Sequence, residues 1–136
     1  KLKYYDGMRY RFELCINDET KRHIGWCNIY GIDENYNYAI NGESLAIGIN
    51  IPVQTERNKG YATAAWQRLI QYLLDNDIKD IYTQTWSGNK RVIGLMHKVG
   101  FVECNRIKNK RYVRGEYYDA LTFKLDVRKY NQIKTR

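Results

Sequence analysis

The segment Thr55-Glu56-Arg57-Asn58-Lys59-Gly60-Tyr61-Ala62-Thr63 places two cations, a glycine and a small residue just ahead of a long apolar periodicity. That combination suits an anion. A helix start leaves backbone N–H groups without partners and concentrates the positive end of the helix dipole, so phosphate oxygens bind there readily. Gly60 lets a phosphate approach the backbone closely, and Ala62 is too small to obstruct it. Arg57 and Lys59 add charge on the same loop, with Asn58 between them and Tyr61 at its end. A plainer reading stands beside this one: Gly60 serves a tight turn and both cations are solvated. Neither G-x-x-x-x-G-K-[ST] nor G-x-G-x-x-G occurs, so P-loop nucleotide hydrolysis and dinucleotide binding of the Rossmann type lose their usual support.

The remaining reactive groups are sparse. Cys15, Cys27 and Cys104 are odd in number, form no C-x-x-C pair, and have only His23 and His97 to complete a metal shell, so no metal site is expected. The three thiols read as small packed hydrophobes. Of the thirteen tyrosines, any one is more often packing than chemistry.

The loop must be positioned by its neighbours. Residues 9–17 alternate, with Tyr10, Phe12, Leu14 and Ile16 on one side, which is a strand period. A turn at 17–21 leads to a returning strand at 23–33, and 33–37 is loop-like. A third apolar run, 45–53, lies between Asn41-Gly42 and Pro52 and reads as a strand ending in a sharp change of direction. Ala62, Ala65, Trp66, Leu69, Ile70, Leu73 and Leu74 recur at steps of three and four, which predicts a helix over 59–76. A strand at 78–86 follows, then a short helix at 89–99 with Val92, Leu95, Met96 and Val99 inward and Gly100 stopping it. Two β-rich runs, 101–113 and 116–126, join at Arg114-Gly115 as a hairpin. Three strands, helix, strand, helix and hairpin imply a mixed α/β or α+β sheet rather than a doubly wound one.

The chain has 136 residues, 43% of them hydrophobic, and a formal charge of +8 from 23 Lys and Arg against 15 Asp and Glu. One domain is expected, with its core over 9–126 and a solvated basic tail over 127–136 that carries Arg128, Lys129, Lys134 and Arg136. Collagen, coiled-coil and generally disordered readings are excluded. No apolar run approaches the ~20 residues that span a bilayer, and the first residues carry no signal-peptide pattern, so a soluble cytoplasmic protein is expected. The positive charge suits nucleic acid or a small polyanion. It is densest between Arg106 and Arg114, but no RNP-type motif, zinc finger or helix-turn-helix accompanies it, which speaks against nucleic acid.

Arg57-x-x-Gly60-x-Ala62 resembles the [Q/R]-x-x-G-x-[G/A] signature of the GCN5-related N-acetyltransferase (GNAT) superfamily, in which that loop holds the pyrophosphate of acetyl-coenzyme A (acetyl-CoA). A second match lies downstream. Asn89 to Phe101, Asn-Lys-Arg-Val-Ile-Gly-Leu-Met-His-Lys-Val-Gly-Phe, is similar to the family's N-x-x-(x)n-L-x-x-K-x-G-F segment. The resemblance covers roughly residues 45–125. Its closest flavour is the branch of ribosomal-protein N-terminal acetyltransferases (RimJ/RimL-like), whose closing hairpin Arg114-Gly115-Glu116-Tyr117-Tyr118-Asp119 also looks like.

The resemblance implies a GNAT-type mixed, mostly antiparallel sheet with flanking helices and a central strand that is bulged and splays from the next parallel strand. The pantetheine arm would enter that gap and pair with backbone groups of Ile49, Ile51 and Val53 as an added strand. Asn89 matches a family pantetheine contact and is also a good helix N-cap. The family's usual N-terminal strand and two helices have no counterpart, since too few residues precede Arg9; this leaves the 1–136 acetyltransferase domain open to being N-terminally incomplete. Acetyl transfer needs a neutral amine, an oxyanion donor and a proton for the leaving thiolate. The family's frequent tyrosine acid falls on Met96 and its common glutamate base on Ala46. Glu43 is a weak substitute base, and Tyr82, Tyr117 and Tyr118 are possible acids; no catalytic residue is assigned. His97 is expected to be solvated, on the helix face opposite the apolar stripe. The implied activity is an acetyl-CoA-dependent N-acetyltransferase acting on a primary amine, either a protein N-terminus or a small molecule. The alternatives are a non-catalytic acyl-CoA-binding module and, less favoured, a basic nucleic-acid-binding domain. A homodimer is common in such folds.

Overall fold

The computed structural model describes residues 10–52, 57 and 59–134. Val53 and Asn58, both expected at the site, lie outside the described residues. The element order is β1 (Arg11–Cys15), β2 (His23–Ile32), β3 (Ser44–Asn50), α1 (Tyr61–Asp75), β4 (Ile81–Trp86), α2 (Lys90–Val99), β5 (Phe101–Val113), β6 (Glu116–Leu125) and α3 (Val127–Lys134). One six-stranded sheet runs β1-β2-β3-β4-β6-β5, antiparallel except for β3 against β4. This is the mixed, mostly antiparallel α+β architecture expected.

Local chemistry explains the punctuation. Gly100 ends α2 at φ 119, where a residue with a Cβ would be strained. Arg114 and Gly115, at φ 50 and 83, make the two-residue turn between β5 and β6 whose positive dihedrals match the strand twist.

Alternation gives the sheet two different faces. Leu45, Ile47, Ile81, Leu121, Phe123 and Leu125 point to one side, where Trp66, Leu69, Ile70 and Leu73 of α1, Met96 and Val99 of α2, and Tyr130 of α3 complete the buried core. The other face carries Asn28, Tyr30, Gly48, Tyr82, Gln84, Thr122 and Lys124, and its cover is the loop at 33–42. Asp33 folds that loop by accepting from the backbone N–H groups of Asn35 (2.8 Å) and Asn37 (3.0 Å). Gln84 Nε2 then pins it by donating to Tyr36 O at 2.7 Å, and the Tyr36 and Tyr82 rings meet at 5.9 Å.

Strands β3 and β4 pair over only three rungs, Leu45↔Ile81, Ala46↔Tyr82 and Ile47↔Thr83. Beyond them β3 stays with β2 as far as Asn50, and β4 stays with β6 as far as Trp86, so the two part like a fork. The expected splay is present, but the expected bulge is not: β3 follows β2 without a register shift. Side chains hold the backbone at the fork instead. Thr83 Oγ1 donates to Ile47 O at 2.8 Å, and Trp66 Nε1 reaches Gly48 O at 3.4 Å.

Two further expectations are corrected. The stretch expected to be a solvated tail is helical over 127–134, because Tyr130 carries it into the core: the ring is 1% exposed and its hydroxyl donates to Gln67 O at 3.0 Å. Charge on Arg128, Lys129 and Lys134 hid the helix by occupying its outer side. Of the three free thiols only Cys27 is buried, where desolvation pushes it up to about 12; Cys15 and Cys104 are exposed. Cys15 falls on the outward phase of β1, and Cys104 is skipped by the pairing at a β5 register shift.

Candidate active site

The fork opens into a cavity of about 510 Å³. The exit of β3 contributes Ile49, Asn50 and Ile51, the loop and first turn of α1 contribute Arg57 and Gly60 through Thr63, and α2 contributes Asn89, Arg91, Val92, Leu95 and Lys98. Of the expected residues it gathers Ile49, Ile51, Arg57, Gly60, Tyr61, Ala62 and Asn89. Lys59 is exposed and is not part of the cavity wall.

Gly60 occupies the N-cap position of α1 at φ 82, with no side-chain cap and no acidic residue in the first turn. The first intrahelical bond runs from Ala64 N to Gly60 O at 3.1 Å, so the preceding N–H groups have no acceptor within the helix. Nothing lies within 4 Å of where a Gly60 Cβ would sit. The positive end of α1 therefore faces open space. Asn89 likewise holds the N-cap position of α2 without making a side-chain cap bond, which leaves its amide available to the cavity it lines.

Arg57 does not extend freely. Its Nε donates to Ile51 O at 2.9 Å and its Nη2 to Pro52 O at 3.3 Å, so the guanidinium braces the exit of β3 while placing its charge on the cavity. Sequence reasoning missed Arg91 and Lys98. They stand seven residues apart, two turns along α2, with Leu95 between them on the same wall. A signal was there: 91, 95 and 98 form one helical stripe beside the core stripe of Met96 and Val99. Among the described residues neither cation has an ion-pair partner, and no carboxylate lines the cavity. Three cations, an open helix start and apolar walls suit an elongated ligand with an anionic end.

The proton-transfer candidates lie elsewhere. Met96 is fully buried in the core and Ala46 is fully buried on the opposite face of the sheet, between Tyr30 and Tyr82, so neither contributes an acid or base. Glu43 precedes β3, at the opposite end of that strand from Asn50 and hence about 20 Å from the cavity. Tyr82 packs on Tyr36 beneath Lys124 Nζ at 5.6 Å, and Tyr117 packs on Tyr112 at 4.8 Å. Tyr118 meets the edge of Trp86 at 4.8 Å; its hydroxyl donates to Glu116 Oε2 at 3.0 Å, which raises its pKa and keeps it protonated. None of these tyrosines lines the cavity. His97 is exposed, as expected, with its ring 5.5 Å from Phe123.

Comparison with known proteins fits this geometry. No curated protein sequence matches the chain. The fold is similar to that of a Streptococcus mutans UA159 protein (TM-score 0.69, 20% identity, 87% of this chain and 71% of that one). It is also similar to a mutant of the spermidine N-acetyltransferase SpeG from Vibrio cholerae (TM-score 0.67, 21% identity, 92% and 70%). A third likeness is to the ribosomal-protein-alanine N-acetyltransferase from Brucella melitensis (TM-score 0.63, 20% identity, 82% and 66%). The family model of the acetyltransferase (GNAT) domain matches residues 2–102, and the chain belongs to that family.

Proposed function

We propose that the protein transfers an acetyl group from acetyl-CoA to a primary amine. The observation that carries this reading is the fork between β3 and β4, which opens onto the uncapped start of α1 and a cationic wall that holds no carboxylate among the described residues. The pyrophosphate would lie on the N–H groups of Gly60 through Thr63, with Arg57, Arg91 and Lys98 supplying charge. The pantetheine arm would run along the edge of Ile49 and Ile51, within reach of the Asn89 amide; Val53, expected to extend that edge, lies outside the described residues. When bound, acetyl-CoA supplies an activated acetyl carbon. The chain contributes orientation and the exclusion of water, which can carry much of the rate without a strong general base.

The acceptor we favour is a protein N-terminus, from the likeness of the 89–101 segment and the closing hairpin to the RimJ/RimL branch. A small monoamine fits as well. A polyamine fits less, because among the described residues the cavity presents no carboxylate to a second ammonium group. One observation favours a second reading, a non-catalytic acyl-CoA-binding module: Met96 and Ala46 leave the usual acid and base positions apolar.

Thermal melts with and without acetyl-CoA test the binding step, using wild type, Gly60→Ala and Gly60→Asp. Saturation at about 100 times the dissociation constant adds about 2.7 kcal/mol, a shift of several degrees. Wild type and Gly60→Ala are expected to shift. Gly60→Asp is not, since its carboxylate meets the phosphates. Absence of any wild-type shift would sink the acetyl-transfer reading. Thiol release from acetyl-CoA upon addition of an amine then separates enzyme from binding module.

A further inference from the structure

The cavity lies on the helix side of the fork, so an amine acceptor has the opposite face, which carries no helix among the described residues, from which to approach. Gly48 stands one residue past the last rung between β3 and β4. From the helix side its carbonyl is met by Trp66 Nε1. On the other face, a Cβ on Gly48 would come within 2.5 Å of Asn28 Oδ1. The Asn28 amide thus lies directly over the Gly48 backbone, in room that only glycine leaves.

The neighbouring polar groups are already engaged. Tyr30 OH donates to Gln84 Oε1 at 3.0 Å, and Gln84 Nε2 serves Tyr36 O and Thr122 Oγ1. Glu13 is paired with Arg11 and His23, at 2.7 and 2.8 Å. The half-buried Asn28 amide alone among these has no hydrogen-bond partner among the described residues. Register places it in one row with Arg11 and Gly48, while Gln84 and Thr122 continue that row beyond the fork.

We propose that Asn28 is the positioning residue for the acceptor: its Oδ1 accepts one N–H of a neutral primary amine and turns the nitrogen lone pair toward the fork. The proposal rests on the acetyl-transfer reading. In the step it serves, a C–N bond forms between the amine nitrogen and the acetyl carbon while the C–S bond breaks, and one amine proton ends on the thiol sulfur. Asn28 itself takes no proton and acts by orientation. The acceptor it suits carries one amine on a body without a second positive charge, because Trp26, Tyr30 and Trp86 line this face around the fork, Arg11 and Arg111 lie over the two tryptophan rings, and Glu13 is already paired.

The test uses thiol release with acetyl-CoA and alanyl-phenylalanine amide as acceptor, on wild type, Asn28→Leu and Asn28→Asp. Leucine keeps the size and loses the acceptor oxygen; aspartate keeps the oxygen. Asn28→Leu is expected to lower kcat/KM for the dipeptide by about tenfold, with KM for acetyl-CoA and the acetyl-CoA melt shift unchanged. Asn28→Asp should restore most of the loss, a rescue that a purely structural role does not produce. Asn28→Ala replaces the leucine variant if that one does not fold. Wild-type turnover by the leucine variant, or equal losses in both variants, overturns the proposal. So does a wild type that acetyl-CoA stabilises but that acetylates neither the dipeptide nor phenethylamine. Failure of acetyl-CoA to stabilise wild type is a different result, and removes the underlying reading as well.

Discussion

The two faces of the sheet are built on different rules. On the helix side, apolar side chains from α1, α2 and α3 close over Leu45, Ile47, Ile81 and Phe123, and the cationic cavity opens at the fork. The other face buries fewer apolar side chains, among them Ile32 and Ala46, and is otherwise held by long-range hydrogen bonds and ring contacts such as Tyr30 to Gln84 and Tyr36 to Tyr82. The larger share of the buried apolar surface, and of the stability it confers, therefore lies on the first face. The second can change its contacts at small cost, which suits a surface that selects an acceptor. The proposed cofactor site belongs to the face with the larger core and the proposed acceptor site to the other.

The largest expected effect falls on the helix face. Tyr130→Ala should cost about 3 kcal/mol in a urea unfolding series, since it empties a buried ring site. A loss below about 0.5 kcal/mol, typical of an exposed position, would mean that α3 is not part of the core. Next in size is the cavity wall: Arg91→Gln with Lys98→Gln should weaken acetyl-CoA binding about tenfold and flatten its salt dependence. Unchanged affinity by calorimetry would remove both cations from the site. On the open face Tyr30→Phe should cost about 1 kcal/mol, because it leaves Gln84 Oε1 without its donor, and should leave acetyl-CoA affinity unaltered. A loss as large as that of Tyr130→Ala would erase the contrast between the faces.

The smallest effect is in the β5–β6 hairpin. Asn109 N–H and the Arg106 guanidinium hold the Asp119 carboxyl below its ordinary 3.8. A carboxyl depressed on folding contributes stability above its unfolded value and loses it as pH falls. Amide exchange at Asn109 should accordingly quicken, relative to the core strands, below about pH 4. No change in that ratio between pH 5 and 3 would show the contact to be idle.

The elements and their order along the chain were readable because β1 alternates, the other strands are apolar or β-rich runs bounded by turn residues, and α1 and α2 have clean helical periods. The hairpin was readable from Arg114-Gly115, and the start of α1 from Gly60. What escaped had a physical cause in each case. Helix α3 shows one buried ring among cations, so composition outweighed its period. Arg91 and Lys98 are ordinary surface residues until the fork places α2 beside the exit of β3. Asn28 is one polar residue in a strand, and only the register that lays it on Gly48 gives it a role. Local signals reveal elements; a site made of side chains from separate strands needs the pairing first.

The central claim is that the fork accepts the pantetheine arm as an added strand, anchored at the start of α1. The most direct measurement is amide hydrogen exchange by NMR at Ile49, Ile51 and Gly60 through Thr63, with and without saturating acetyl-CoA. The account predicts slowed exchange at the β3 exit and shifted signals at the α1 start, with the β5–β6 hairpin unaffected. Changes confined to the basic hairpin, or unaltered exchange at Ile49 and Ile51 with acetyl-CoA bound, would contradict it.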